Sequence, residues 1–172
     1  MMNTVKCHGC SFFYITYKQL KPYGCKAYGF ISKTLPAKVV FDSDLKLTMV
    51  GWDNSYKYAM LKEDEIGQLK SLNTKLADFS VDIQRVLINL TKEWYDFYGF
   101  DLPDPITMAI ALDNSLIEES QDLHVMVDTR DGITRGQTIV DYFDIEDKKK
   151  NVRVVTKSSN DKFMNMLLDL LS

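Results

Sequence analysis

The chain has 172 residues, 45% hydrophobic and 26% charged, with four prolines, eight glycines and no tract of a single residue type. This composition excludes a disordered chain, a collagen and a repeat array, and a chain of this size can bury about 70% of its unfolded surface without disulfides or metal. The net charge of −3 averages two unlike stretches: residues 1–44 carry six lysines against two aspartates (+4), and residues 45–172 carry 15 basic against 22 acidic residues (−7). The lysines of the first stretch are spread out and not clustered, so no nucleic-acid partner is expected. The longest apolar candidate, Ile106 to Leu112, falls well short of the ~20 residues of a membrane span. The first residues also lack the charged start, apolar middle and cleavage site of a signal peptide, so a cytoplasmic protein without membrane contact is expected.

Along the chain, Cys7, Cys10 and Cys25 come first, as C-x2-C-x14-C among aromatics and turn residues. Two thiolates two residues apart can hold one zinc from a tight knuckle, but a closed site needs a fourth ligand. None follows at that spacing; His8 lies inside the first pair and His124 is remote. Zinc bound by Cys7, Cys10 and Cys25, or three free thiols, are the two readings. Residues 12–17 and 37–41 are both β-prone.

Leu47 to Trp52 reads as a strand buried on both faces, ended by a turn at Asp53-Asn54-Ser55. A helix follows from Leu61 to Ser71, with acids in its first turn and Lys70 in its last, as the helix dipole favours. Asn73 or Thr74 then caps a longer helix in which Leu76, Phe79, Ile83, Val86, Leu87, Leu90 and Trp94 recur at spacings of three and four. That stripe reads as a core face. Tyr95, Phe97 and Tyr98 crowd its end before Gly99, the expected stop, where they could pack or line a pocket.

Asp101 to Pro105 leads into a helical stretch from Ile106 to Leu112, with Pro105 suited to the first helical position. Asp104 reads either as its N-cap or, held by the rigid Asp-Pro step, as a ligand for a hard cation such as calcium. Strands are predicted at 123–129, 138–142 and 152–156, with Asp131-Gly132 as a turn signal between the first two. Alternation places His124, Met126 and Asp128 on the less buried side of the first, which leaves His124 little scope for catalysis. Asp144 to Lys150 is a solvated charged loop. Ser159 or Asn160 caps a last helix with Phe163, Met164, Leu167, Leu168 and Leu171 on its apolar face.

Two resemblances follow from these residues. CHGC, KPYGCKAYGF, SKTLP and VVF, between Cys7 and Ser43, resemble the start of small bacterial cysteine-motif proteins, which continue to a further cysteine that this chain lacks. Four later blocks, LTMVGWD (47–53), FDLPDPITMAIALDNSLI (100–117), DLHVMVDTRDGITRGQTIVD (122–141) and NVRVVTKSSNDKFMNMLLDLL (151–171), are similar in wording and order to the carboxy-terminal part of the inosine-uridine-preferring nucleoside hydrolases. The expected fold is therefore α/β: a partial nucleoside-hydrolase-like mixed sheet with flanking helices over residues 45–172, preceded by a small cysteine-containing β segment, residues 1–44.

The resemblance implies hydrolysis of the N-glycosidic bond of ribonucleosides to base and ribose, with a calcium ion orienting and acidifying the attacking water. It makes Asp104 a calcium ligand. Pro103 occupies the family's histidine position and has no proton to give a leaving base, so no catalytic residue is assigned. The family's D-x-D-x-G-x-D-D cluster is not present; Asp42-Ser43-Asp44 matches only its first letters before Leu45-Lys46 diverges. A truncated, catalytically impaired hydrolase is expected, the alternative being a non-catalytic mosaic or binding module with a zinc-knuckle-like first segment. Strands lacking their family neighbours would leave an unpaired edge and an uncovered apolar face, of which residues 12–17 and 37–41 could cover part, so either a self-associating protein, a homo-oligomer, or a partly ordered one is expected.

Overall fold

The computed structural model describes residues 13–17, 20–21, 23–26 and 30–172. The fold is α/β, with a mixed sheet and flanking helices. Three short strands, β1 (Phe13–Ile15), β2 (Tyr23–Cys25) and β3 (Phe30–Ser32), form an antiparallel sheet of order β1-β2-β3. After α1 (Pro36–Phe41) and β4 (Leu47–Val50) come α2 (Trp52–Tyr58), β5 (Met60–Lys62), α3 (Glu63–Ser71), α4 (Lys75–Asp82), α5 (Arg85–Tyr95) and β6 (Gly99–Asp101). The chain ends with α6 (Pro103–Leu112), a short 3-10 turn (Asn114–Leu116), β7 (Ile117–Val127), β8 (Thr138–Asp141), β9 (Val152–Ser158) and α7 (Asn160–Leu171). A four-stranded sheet has the order β4-β9-β7-β8, and β5 and β6 pair separately.

The chain divides into two compact units, residues 1–49 with 121–154 and residues 50–120 with 155–172. In the first, Leu123 and Val125 of β7 and Val152 and Val154 of β9 are buried together, with Phe41, Leu47, Met49 and Val140 packed on them. β7 and β8 form an antiparallel pair in which Val125 faces Val140. The Asn151 side chain acts as a spacer. Its Oδ1 accepts from the Val125 N–H at 2.8 Å, and its Nδ2 donates to the carbonyls of Phe41 at 2.7 Å and Val125 at 2.9 Å. A half-buried amide is tolerated here because both of its ends find partners.

The second unit is organised around Leu61, Ile106, Leu116, Val155 and Phe163, all essentially excluded from solvent. The antiparallel pair β5/β6 sets Leu61 opposite Phe100. Glu65 closes the first turn of α3 by accepting the Lys62 N–H at 2.9 Å, and Thr74 caps α4 by accepting the Ala77 N–H at 3.1 Å. α7 buries Phe163 and Met164, with Leu167, Leu168 and Leu171 packed alongside, as its periodicity predicts.

Several expectations are corrected. Residues 37–41 form a helix and not a strand, because Pro36 occupies its first turn, where a missing N–H costs nothing. Residues 13–15 belong to their own sheet and do not extend the four-stranded one. β4 is an outer strand with Thr48 exposed, so it is not covered on both faces. Asp53-Asn54-Ser55, expected as a turn, lies within α2, and Leu61 lies in β5 ahead of α3. The single long helix is two, α4 and α5, parted at Ile83 and Gln84 after Ser80-Val81-Asp82, a run of weak helix formers.

The apolar stripe on that pair does not face the core. Ala77, Val81 and Ile88 are the buried residues, and Leu76, Phe79, Ile83, Val86, Leu87 and Trp94 are exposed. Asp96, in the left-handed conformation at φ 50°, ends α5 in place of Gly99. Gly99 instead answers a close approach: a Cβ there would strike the Leu61 carbonyl and the Phe97 ring. Asp128, expected on the open side of β7, is buried, because the strand and its alternation stop at Val127.

Candidate functional site

The residues singled out by sequence fall in separate places. Cys7 and Cys10 lie outside the described residues, and Cys25 is the last residue of β2. His124, in β7 of the first unit, has its Nδ1 3.2 Å from the Lys149 carbonyl. Pro103 and Asp104 open α6 in the second unit.

The start of α6 is positioned by β6. Pairing with β5 buries Gly99 and Phe100, and the Leu102 N–H donates to the Ala59 carbonyl at 3.0 Å, so the chain leaves the strand in a fixed direction. Asp101, at the strand's last position, accepts from the indole Nε1 of Trp52 and from Ser55 Oγ at 3.3 Å. The single Ser55 hydroxyl proton is shared between Asp101 and the Trp52 carbonyl, 3.0 Å away. The first turn of α2 is thereby tied to the residue that precedes α6. Sequence reasoning missed this contact because it placed residues 53–55 in a turn; the indole and the carboxylate are 49 positions apart and no local pattern joins them.

α6 begins at Pro103, two residues earlier than the Asp-Pro step predicts. Leu102 stands at the N-cap without a side-chain capping bond, and Asp104 lies inside the first turn, so the capping role expected for Asp104 is not the one it has. It is favourable there through the helix dipole. Its carboxylate is exposed and makes no hydrogen bond or ion pair among the described residues. Pro103 accepts the Thr107 hydroxyl at its carbonyl, 2.8 Å away, and has no group that could donate a proton.

Calcium takes six to eight oxygen ligands. Asp104 offers one exposed carboxylate, and Asp101 is engaged by Trp52 and Ser55. Among the described residues no group of three or more His, Cys, Asp or Glu side chains is placed to hold a metal ion. The donors among the described residues do not make up a calcium site, the zinc reading of Cys7, Cys10 and Cys25 falls largely outside those residues, and no chemical step is assigned to either metal.

Two other polar centres are structural. Asp128 accepts from Arg130 at Nε (2.9 Å) and Nη2 (3.0 Å), from the Arg130 N–H (3.0 Å) and from Thr134 Oγ1 (2.8 Å). The guanidinium, then the backbone and Thr134 bonds, hold its carboxyl far below the ordinary carboxylate range. Asp141 is held low by the N–H groups of Glu146 (2.9 Å) and Ile145 (3.0 Å). Both carboxylates fasten the loops next to β8. Tyr95 and Tyr98, read as packing or pocket residues, are exposed. No helix among the described residues is long and apolar enough to cross a membrane.

Comparison with known proteins places this arrangement. A family model described as inosine-uridine preferring nucleoside hydrolase matches residues 35–165. The chain is 28% identical over 141 residues to a probable ribonucleoside hydrolase of Dictyostelium discoideum, covering 78% of this chain and 41% of that protein. It is 27% identical over 138 residues to the pyrimidine-specific ribonucleoside hydrolase RihA of Shewanella sp. (strain MR-7), covering 79% and 42%. Among solved structures, a purine-preferring ribonucleoside hydrolase from Gardnerella vaginalis superposes with a TM-score of 0.64 at 29% identity, over 78% of this chain and 42% of that one. A plant nucleoside hydrolase shares the fold at 20% identity, with a TM-score of 0.68 over 88% and 48%. The chain thus spans less than half the length of these relatives. With the model matched over most of the sequence and the same fold in the solved relatives, the chain belongs to the inosine-uridine preferring nucleoside hydrolase family.

Proposed function

We propose that residues 45–172 form the carboxy-terminal portion of a ribonucleoside N-glycosidase site, and that this chain does not turn over nucleosides by itself. The reaction is the addition of water across the N-glycosidic bond. The ribose carbon gains the hydroxyl, the carbon–nitrogen bond breaks, and the base leaves with the remaining proton. The observation that carries the reading is the family match over 35–165 with Asp104 exposed and unengaged at the mouth of α6. The relatives are named for ribonucleosides, some pyrimidine-specific and some purine-preferring, so the substrate class is the ribonucleoside and no base preference is assigned.

Inactivity of the chain alone is supported by its donor set. The attacking water needs a base and the departing nitrogen an acid, each worth about 10²–10⁴-fold where they operate. Pro103 cannot serve as the acid, and Asp104 is the one carboxylate that the family motif marks at this site. The residues before 45, with their opposite charge balance, are read as a separate segment, although the family match begins ten residues earlier, at 35.

Ribose release from inosine and uridine tests this. The chain alone is expected to match the no-protein blank with and without calcium. Mixed with a polypeptide covering the part of the Gardnerella enzyme that it does not match, it is expected to release ribose, and Asp104→Ala is expected to abolish that release. Calcium-dependent turnover by the chain alone would overturn the inactivity, and a mixture indifferent to Asp104→Ala would overturn the role of that residue.

A further inference from the structure

We propose that Asp131 is a site of spontaneous modification, at which the chain isomerises to isoaspartate through attack of the Gly132 nitrogen on the Asp131 side chain. Asp131-Gly132 is the turn signal between β7 and β8, and neither the packing of the first unit nor the proposed hydrolase site uses it. Among the eight glycines of the chain, only Gly132 follows an aspartate or an asparagine. A glycine nitrogen is the least hindered nucleophile of the main chain, because no Cβ shields it.

The structure leaves this step open. The Asp131 side chain is 99% exposed. The Gly132 N–H makes no hydrogen bond among the described residues, so no bond has to break before its nitrogen attacks. Nothing lies within 4 Å of where a Cβ of Gly132 would stand, and its φ of 148° is one that other residues rarely adopt. The steps from aspartate or asparagine to serine are closed by comparison. The N–H of Ser43 donates to the Val40 carbonyl at 3.2 Å, that of Ser55 to the Gly51 carbonyl at 3.2 Å, and that of Ser115 to Asp113 Oδ1 at 2.8 Å. Asn54 and Ser55 are also buried within α2.

One contact opposes the reaction. Arg135 Nη1 donates to Asp131 Oδ1 at 2.6 Å and to the Thr129 carbonyl at 3.2 Å, and the attack consumes the carboxylate that it holds. An ion pair with one side chain in solvent is weak, so this contact slows the step by no more than about fivefold.

The chemistry needs only water. The Gly132 nitrogen bonds to Asp131 Cγ, and one carboxyl oxygen leaves as water with the amide proton and a proton from solvent. The product is a five-membered cyclic imide. Water then adds across one of its two carbon–nitrogen bonds. Opening at Cγ restores aspartate; opening at the main-chain carbonyl leaves the chain running through Cγ, with one more main-chain carbon and a free α-carboxylate. No mass is gained or lost, and the added carbon falls in the loop that Asp128 fastens through Arg130 and Thr134.

Incubation of the full chain in neutral buffer for several weeks tests the proposal, with samples labelled by an isoaspartate-specific carboxyl methyltransferase and labelled S-adenosylmethionine. Label is expected to rise with time and to lie in the tryptic peptide 131–135, whose unlabelled form keeps its mass and changes its retention. Asp131→Glu keeps a carboxylate for Arg135 but would have to close a six-membered ring, and is expected to hold this label at its starting level. Arg135→Ala is expected to raise the rate by up to about fivefold. Circular dichroism confirms that each variant is folded. A wild-type chain without label in peptide 131–135 overturns the proposal, and so does label there that Asp131→Glu leaves unchanged. A slower rate in Arg135→Ala overturns the opposing role of that residue.

Discussion

Asn54 and Ser158 offer a direct measure of how α2 is anchored in the second unit. Both are 1% exposed, and Ser158 Oγ in β9 donates to Asn54 Oδ1 at 2.8 Å. Asn54 Nδ2 reaches the Val155 carbonyl at 3.5 Å, a marginal bond. Replacing Asn54 with Ala removes one good and one weak hydrogen bond, leaves the Ser158 hydroxyl buried without an acceptor, and opens a hole three heavy atoms in size. One lost bond of about 1 kcal/mol and an orphaned polar group of about 1–3 kcal/mol give an expected loss of about 2–4 kcal/mol. Ser158→Ala breaks the same bond from the other side and leaves Oδ1 unsatisfied, for about 1–3 kcal/mol. The double variant breaks that bond once and leaves neither of its two groups orphaned, so its cost falls short of the sum by about 2 kcal/mol or more. Urea unfolding followed by tryptophan fluorescence reads this, because Trp52 lies in the same helix. The slope with denaturant must stay constant across the set for the comparison to hold. Additivity within about 0.3 kcal/mol, or an Asn54→Ala loss under about 0.5 kcal/mol, would refute the idea that the pair works as a unit.

Three further outcomes follow from the same structure. Thr74→Ala, which loses the cap on the Ala77 N–H, is expected to cost about 1 kcal/mol and Thr74→Ser much less, with urea midpoints as the measure. Phe163→Ala is expected to lose about 3–5 kcal/mol, whereas Phe79→Ala, measured in dilute solution, stays within about 0.5 kcal/mol; similar losses at the two sites would contradict their assigned burial. Asp128 and Asp141 are held below their unfolded value of about 3.9, so their contribution is fully present above it and fades as pH falls through the lower folded values. Unfolding midpoints are therefore expected to be flat between about pH 7 and 5 and to drop below about pH 4, less steeply in Asp128→Asn, and an identical acid slope in that variant would dissociate Asp128 from the transition.

The elements most legible in the sequence were those in which periodicity and burial agree. α7 shows an apolar stripe and buries it, and the strands around Leu123, Val140 and Val152 carry the β-branched runs that a half-covered sheet requires. Legibility failed where a short-range signal had two structural meanings. Val39-Val40-Phe41 is β-prone in composition, yet Pro36 fixes the first turn of a helix three residues before it. Gly99 stands close to the end of α5, but its missing Cβ serves the contact with β5, and the left-handed residue is Asp96. Asp104 was found from the Asp-Pro step. The Trp52–Asp101 tie that fixes the entry to α6 was not, since it joins residues that only the fold brings together.

The stripe on α4 and α5 carries the wider point. Amphipathic spacing states that a helix side is apolar; it does not state which surface, if any, covers that side. Ala77, Val81 and Ile88 were passed over because they are small or few, yet they make the intramolecular contact, while the larger residues that dominate the pattern face outward. The same reasoning applies to Asp104. Its carboxylate is favourable at the helix mouth through the dipole alone, and, having no hydrogen bond or ion pair among the described residues, takes a ligand role only alongside other donors. In both places the local features are readable in the sequence, and the environment that decides their role is not.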